Sequence, residues 1–224
     1  MKTIPLFQPP IKLKINLENM PHSVFRRVLI PENINMMQLH FIIQISIGWE
    51  FAHLFQFSDR RYDGNIIAGI PTEYDEEPMF STFGRRPKRQ NADEIMLKMD
   101  FLEGNNKKPF WYWYDFGDDW WHKLSFQKAT KKDLQVFKGS PICVEAFGAC
   151  PPEDIGGPWG YEAFLEAITN KKNPDYEEMR EWAGLSGKEN YDTEYVDLAM
   201  INESLTDLYQ GDEWRITAEN YFNG

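Results

Sequence analysis

Phe110-Trp111-Tyr112-Trp113-Tyr114-Asp115-Phe116-Gly117-Asp118-Asp119-Trp120-Trp121-His122-Lys123-Leu124-Ser125-Phe126 is the densest aromatic run in the 224-residue chain. Bulky residues occupy both faces of its first arm, Gly117-Asp118-Asp119 supplies turn chemistry, and Trp120–Phe126 returns as a second arm, so the run reads as a β-hairpin. A three-residue turn at Gly117–Asp119 sets Phe116 opposite Trp120, Tyr114 opposite His122 and Trp113 opposite Lys123. A two-residue turn at Gly117-Asp118 shifts the pairing by one and sets Trp113 opposite His122. In either register His122 faces the aromatic side of its partner strand.

Toward the N-terminus, Ile11, Leu13, Ile15 and Leu17 alternate with Lys12, Lys14 and Asn16, the period-2 mark of a half-buried strand. Val24–Ile30 reads as a second strand carrying Arg26 and Arg27, ended by Pro31. Asn33 or Asn35 then caps a helix whose apolar positions Met36, Leu39, Ile43 and Ile47 step by three or four and which Gly48 stops. A short aromatic strand, Phe51–Phe57, contains His53. Residues 58–92 are punctuated by Gly and Pro, acidic at 73–77 and basic at Arg85–Arg89, and read as a long loop-rich insertion around weak strands. Ile95–Leu102 reads as a short helix or turn.

Toward the C-terminus, Cys143–Gly160 reads as a Pro- and Gly-rich loop, followed by helices near Tyr161–Thr169, Pro174–Ala183 and Thr193–Leu205. The fold class is therefore α+β: a mixed or antiparallel sheet of about five strands, helices packed on one side, and a helical C-terminal segment. Residues 1–205 form one domain and 206–224 a polar tail.

Hydrophobic residues make up 42% of the chain and aromatics 15%, which is a globular composition. No apolar run approaches the roughly 20 residues that cross a bilayer. Met1–Pro10 has no long apolar core, so the sequence predicts neither signal peptide nor membrane partner, and a cytoplasmic location. The net charge is −11, unevenly spread. Residues 151–224 hold 17 acidic and 5 basic side chains, leaving the rest of the chain 18 acidic and 19 basic. An acidic surface of that kind disfavours duplex nucleic acid, and the Arg85–Arg89 cluster reads as a solvated loop.

Three local signatures recur as a set: Gly48-Trp49 with His53-Leu54-Phe55-Gln56-Phe57; Tyr114-Asp115-Phe116-Gly117-Asp118 with Trp120 or Trp121 and His122; and Cys143 followed by Cys150-Pro151-Pro152-Glu153-Asp154-Ile155-Gly156-Gly157-Pro158 and Gly160-Tyr161. Together with Arg26-Arg27-Val28 and Pro31 they resemble the plasmid pRiA4b ORF-3-like family, whose members also carry the label of insertion-element passenger proteins of the TnpR type. The resemblance covers roughly residues 10–205. It implies a small cytoplasmic α+β protein encoded near mobile elements, with no established activity. Resolvase chemistry, which the label suggests, needs a nucleophilic Ser among arginines and a basic DNA-binding module, and the sequence shows neither. The chain departs from the family in its longer 58–92 stretch and in the doubled Trp120-Trp121.

Three chemistries compete for these residues. Trp111, Trp113, Tyr114, Trp120 and Trp121 suggest an aromatic groove that binds a protein or small ligand, since Trp and Tyr dominate binding hot spots. Cys143 and Cys150, with His122 or His53, suggest a zinc site, with Asp115, Asp118 and Asp154 as oxygen ligands; the six-residue spacing exceeds that of zinc knuckles, and buried packing or a disulfide is the favoured reading of the cysteines. Asp115, Asp118 and His122 suggest a general acid/base group of a metal-dependent hydrolase, against a turn in which carboxylates bond backbone N–H groups. No activated nucleophile accompanies them. Glu153 and Asp154 argue against phosphate on the Gly156–Gly160 loop and are expected to bond that loop or to meet Arg26 and Arg27. A third reading, a nucleic-acid accessory factor, rests on residues 85–89 and the mobile-element context.

Overall fold

The computed structural model describes residues 8–72, 80–81, 84–85, 90–98 and 108–221. Its centre is a seven-stranded sheet of antiparallel pairs in the order β4-β3-β7-β8-β1-β2-β9. The strands are β1 Ile11–Leu17, β2 Val24–Ile30, β3 Phe55–Ser58, β4 Ile66–Gly69, β7 Phe110–Tyr114, β8 Trp120–Gln127 and β9 Ile142–Phe147. A separate two-stranded ribbon pairs β5 (Phe80–Ser81) with β6 (Gly84–Arg85). Seven strands replace the expected five because β4 lies inside the stretch read as an insertion and β9 overlaps the stretch read as loop. Of the basic cluster only the backbone of Arg85 falls in the described residues; 86–89, the acidic 73–77 and 99–102 lie outside them.

The hairpin register is neither of the two expected. Tyr114 pairs with Trp120, Tyr112 with His122 and Trp111 with Lys123, across a five-residue connection. Asp115 and Asp119 both adopt left-handed backbone (φ 50° and 60°), and the Asp119 N–H donates to the Asp115 carbonyl at 2.8 Å. Asp115 Oδ1 accepts from the Gly117 and Asp118 amides at 2.9 and 3.3 Å. The strands end early because the aspartates close the turn with their own side chains.

Helix α1 (Met36–Ile47) starts with a reciprocal capping box between Asn35 and Gln38 and stops at left-handed Gly48. Nearly all of α1 is buried, including His40 and Gln44, because it lies between the sheet and the C-terminal elements. Of these, α5 (Leu198–Gln210) packs on α1, while α3 (Gly157–Thr169) packs on α4 (Tyr176–Trp182); α2 (Lys131–Val136) takes a salt bridge from Lys12 to Asp133 at 2.8 Å. Helix α5 runs past Leu205, and Trp214, Ile216 and Tyr221 pack on the core, so the polar tail joins the fold. Asn202 of α5 takes the place of a neighbouring strand on β9, accepting from the Cys143 N–H at 2.7 Å and donating to its carbonyl at 3.0 Å.

Arg26 is fully buried and donates to the carbonyls of Ser46, Ile47, Phe25 and Phe147. Two of these end α1, where the helix dipole favours a cation. Arg27 pairs with Glu145. The acidic pair Glu153 and Asp154 therefore meets neither arginine. Among the described residues no helix is long and apolar enough to cross a membrane.

Candidate functional site

The three sequence signatures converge at one end of β3 and β7. Trp49, just past α1, stacks 5.0 Å from Tyr114 and lies 5.5 Å from Trp120 and 5.1 Å from His122, while its Nε1–H donates to the Pro151 carbonyl at 3.2 Å. One tryptophan thus joins the helix end, the hairpin and the 150–157 loop. Gly157 completes the contact: a Cβ there would lie 2.0 Å from the Asp118 carbonyl oxygen, and the Gly156 N–H donates to Asp118 Oδ2 at 3.0 Å. Only glycine lets that loop approach the turn so closely.

His53 lies where the three meet. Its Nε2 is 3.2 Å from Asp154 Oδ1, 3.6 Å from Asp115 Oδ2 and 3.8 Å from Glu153 Oε2. His53 Nε2 and Glu153 Oε2 are nevertheless buried atoms without a hydrogen-bond partner among the described residues. Asp115 is 7% exposed, whereas the Asp154 side chain reaches solvent. Ligand atoms of His53, Asp115 and Asp154 all lie within 4.8 Å of one another.

The surroundings hold these groups in place. Glu153 Oε1 accepts from the Tyr114 hydroxyl at 3.1 Å and the Glu50 N–H at 3.0 Å, and burial raises its carboxyl above the ordinary range. Asp154 and Phe51 are left-handed (φ 55° and 64°), a backbone state non-glycine residues adopt only when neighbours impose it. Below residues 51–53 runs a buried polar chain. Gln44 donates to the Tyr112 hydroxyl at 2.9 Å, Tyr112 and Tyr221 flank the two His40 ring nitrogens at 2.7 and 2.8 Å, and Tyr221 donates to the Phe51 carbonyl at 3.0 Å. Since Tyr221 donates away, its oxygen accepts from His40 Nε2–H, which assigns the neutral tautomer. Burial holds the His40 pKa well below its usual value.

The residues singled out from sequence divide sharply. His122 is fully buried between Trp49 and Tyr112, and burial lowers its pKa to about 3. It is a neutral core residue with no carboxylate beside it, so it does not join Asp115 and Asp118 in an acid/base group. Cys143 is buried and free, its thiol pushed up to about 11; Cys150 is also free and burial pushes its thiol up further. Neither belongs to the ligand cluster. Asp118 bonds the Gly156 amide, the structural role of a turn carboxylate. Tyr114, Trp120 and Trp121 are buried, so of the expected groove only Trp111 and Trp113 face partly outward. Asp115 and Asp154 are brought together, with His53 between them. Glu153 is the residue the sequence reading left out of the site. The available signal was the acidic pair Glu153-Asp154 inside the third signature.

A family model described as "Plasmid pRiA4b ORF-3-like protein" matches residues 10–200. The chain is 33% identical over 198 residues to the uncharacterized protein y4hQ of Sinorhizobium fredii, covering 88% of this chain and 91% of that protein. The crystal structure of a protein of unknown function from Methanosarcina mazei Go1 superposes with a TM-score of 0.64 at 28% identity, covering 86% of this chain and 97% of that one.

Proposed function

The chain belongs to the plasmid pRiA4b ORF-3-like family, and from that premise we propose that it is a metal-dependent hydrolase whose divalent cation is held by His53, Asp115 and Asp154. The observation that carries this reading is the buried, unpartnered His53 Nε2 facing three carboxylates at 3.2–3.8 Å. A ring nitrogen and carboxylate oxygens that converge within 4.8 Å without hydrogen-bonding one another form the ligand set of a cation. One imidazole with two carboxylates suits Mn²⁺, Fe²⁺ or Zn²⁺, and three protein ligands leave positions for water and substrate.

A cation held by His53, Asp115 and Asp154 would supply Lewis acidity and acidify a bound water. Glu153 Oε2, unpartnered and facing His53, would serve as the proton acceptor beside it, while Tyr114 and the Glu50 N–H fix the other oxygen. Asp115 is held through its second oxygen by two turn amides, which orients Oδ2 toward the cluster.

Calorimetric titration of chelator-treated protein with Mn²⁺ or Zn²⁺ is expected to show one site in the wild type and none in His53→Ala. Hydrolysis of nitrophenyl phosphate and carboxylate esters should require the cation and be lost in Glu153→Gln, which still binds it. Silent titrations with both cations at millimolar concentration would overturn the metal reading. A binding module is the second reading, favoured by Trp111 and Trp113, whose partly exposed rings lie outside the polar cluster.

A further inference from the structure

The side of the sheet away from α1 carries a chemistry the polar cluster does not use. Strand alternation sends Leu13, Ile15, Tyr112 and Leu124 inward and leaves Lys14, Asn16, Trp111 and Lys123 on the outer face. The register aligns Trp111, Lys123, Asn16, Phe25 and Phe147 as one row across five adjacent strands, β7-β8-β1-β2-β9. At about 4.8 Å per strand, Trp111 and Phe25 lie about 14 Å apart.

Cations lie over the rings of this row and its neighbours. Lys14 Nζ lies 4.6 Å from the Phe25 ring centre and Lys123 Nζ 5.9 Å from that of Trp111. The Arg61 guanidinium lies 4.5 Å from Tyr62, 5.7 Å from Trp121 and 6.0 Å from Trp111. Among the described residues no carboxylate forms an ion pair with Lys14, Lys123 or Arg61; Arg61 Nη1 donates to Asn19, and its Nε and Nη2 are buried against the rings without a hydrogen-bond partner. Tyr62 is 68% and Phe147 39% exposed. Helix α5, with its acidic Glu203 and Asp207, packs on α1 and so lies on the opposite side of the sheet.

We propose that this outer sheet face is a docking surface for single-stranded nucleic acid. Unpaired cations lying over flat aromatic side chains match an unpaired strand, which presents a phosphate line and free base faces together; duplex hides its bases and offers such rings nothing to stack on. The lysines now resting over Phe25 and Trp111 are long enough to swing to phosphates as bases take their places on the rings. Lys14 and Lys123 offer unpaired positive charge to an anionic ligand, on a face that also holds Glu18, which accepts from Asn16 Nδ2 at 2.8 Å, and the Arg27–Glu145 pair. The proposal is independent of the metal-centre reading.

Fluorescence anisotropy of the full chain with labelled oligothymidylate, longer than the roughly 16 nucleotides one such platform spans, tests it. EDTA is present throughout, so the result does not depend on cation binding. Binding is expected at low salt, with log K falling against log salt at a slope of about −1.4 for the two lysines. Tryptophan emission should be quenched on binding. Trp111→Ala should weaken binding at least about fivefold, as loss of one stacking platform requires, and Trp111→Phe should retain most of it. Lys14→Glu with Lys123→Glu should weaken binding further and flatten the salt slope, which keeps the test intact if Trp111→Ala loosens the fold. Absence of binding to single strands at low salt overturns the proposal. So does equal binding of heparin, duplex and single strands that Trp111→Ala leaves unchanged, since that marks a generic polyanion surface.

Discussion

His122 and His53 are both packed against Tyr112 or Tyr114 of the same strand, yet one belongs to the interior and the other to a polar rim. Around His122 stand Trp49 and Tyr112, and its Nδ1 lies 3.3 Å from the Tyr112 carbonyl. Desolvation without a countercharge keeps that ring neutral. Around His53 stand three carboxylates within 3.8 Å. Residue type is therefore a poor guide to chemistry here, and the distribution of charge around the ring decides it. The interior histidine supports the aromatic wedge that joins the three segments; the rim histidine is what the wedge positions.

The contrast can be broken most directly by removing each ring. His122→Ala leaves a cavity under Trp49 and is expected to cost about 3 kcal/mol of unfolding free energy in urea titrations. His53→Ala, at the solvent edge, should cost less than about 1 kcal/mol. Equal losses would show that both are structural. Saturating cation should sharpen the contrast: at a hundredfold excess over Kd a bound ion stabilises the native state by about 2.7 kcal/mol. Thermal unfolding should show that gain in the wild type and in Cys143→Ala, EDTA should reverse it, and His53→Ala should lack it.

Acid probes the interior in turn. A histidine whose native pKa lies below its unfolded value leaves stability unaffected above about pH 6.5. Stability is then lost as pH falls from there toward the native pKa, about 3 for His122, because only the unfolded chain takes up the proton. His40 is shifted in the same direction. Unfolding free energies from urea titrations between pH 6.5 and 4.5 should fall by up to about 1.4 kcal/mol per pH unit for each deeply buried ring, and His122→Phe should remove its own contribution while those of His40 and the less shifted His22 remain. A variant with the wild-type slope would show that His122 does not contribute. The smallest effect is expected from Cys150→Ala, since its buried thiol lies outside the cluster: cation affinity should match the wild type within about twofold, within the uncertainty of non-additive local effects. A tenfold loss would return the cysteine to the ligand set.

Much of the fold was legible where a local pattern had one physical meaning. Alternation marked β1, a capping Asn at 33 or 35 and Gly48 bounded α1, and Pro174 with its acidic followers announced α4, whose cap is Asp175. The sheet was undercounted where local pattern failed. A bulge between Arg27 and Val28 opposite β9 breaks the pairing that would betray an edge strand, and β4 has only four residues. The hairpin register depended on Asp115 and Asp119 adopting left-handed backbone, which no spacing rule requires. The candidate site was legible in its parts, since Asp115 and Asp154 stood out, but not in its assembly. His53, Asp115 and Glu153 come from segments distant in sequence, and their meeting depends on Trp49 and on the close approach of Gly157 to Asp118.

The amide clasp of Asn202 on β9 has a consequence in time as well as space. Until α5 arrives, the outermost strand of the sheet offers bare N–H and C=O groups, the template on which foreign strands pair. Asn202 follows Cys143 by 59 residues, so at ribosomal speeds of roughly 5–20 residues per second this edge stays open for about 3 to 12 seconds of synthesis. Polysomes translating the gene at high density bring several such edges together within that window. A chain terminated before α5 never closes its edge and is expected to accumulate as strand-paired aggregates, whatever the state of the rest of its core.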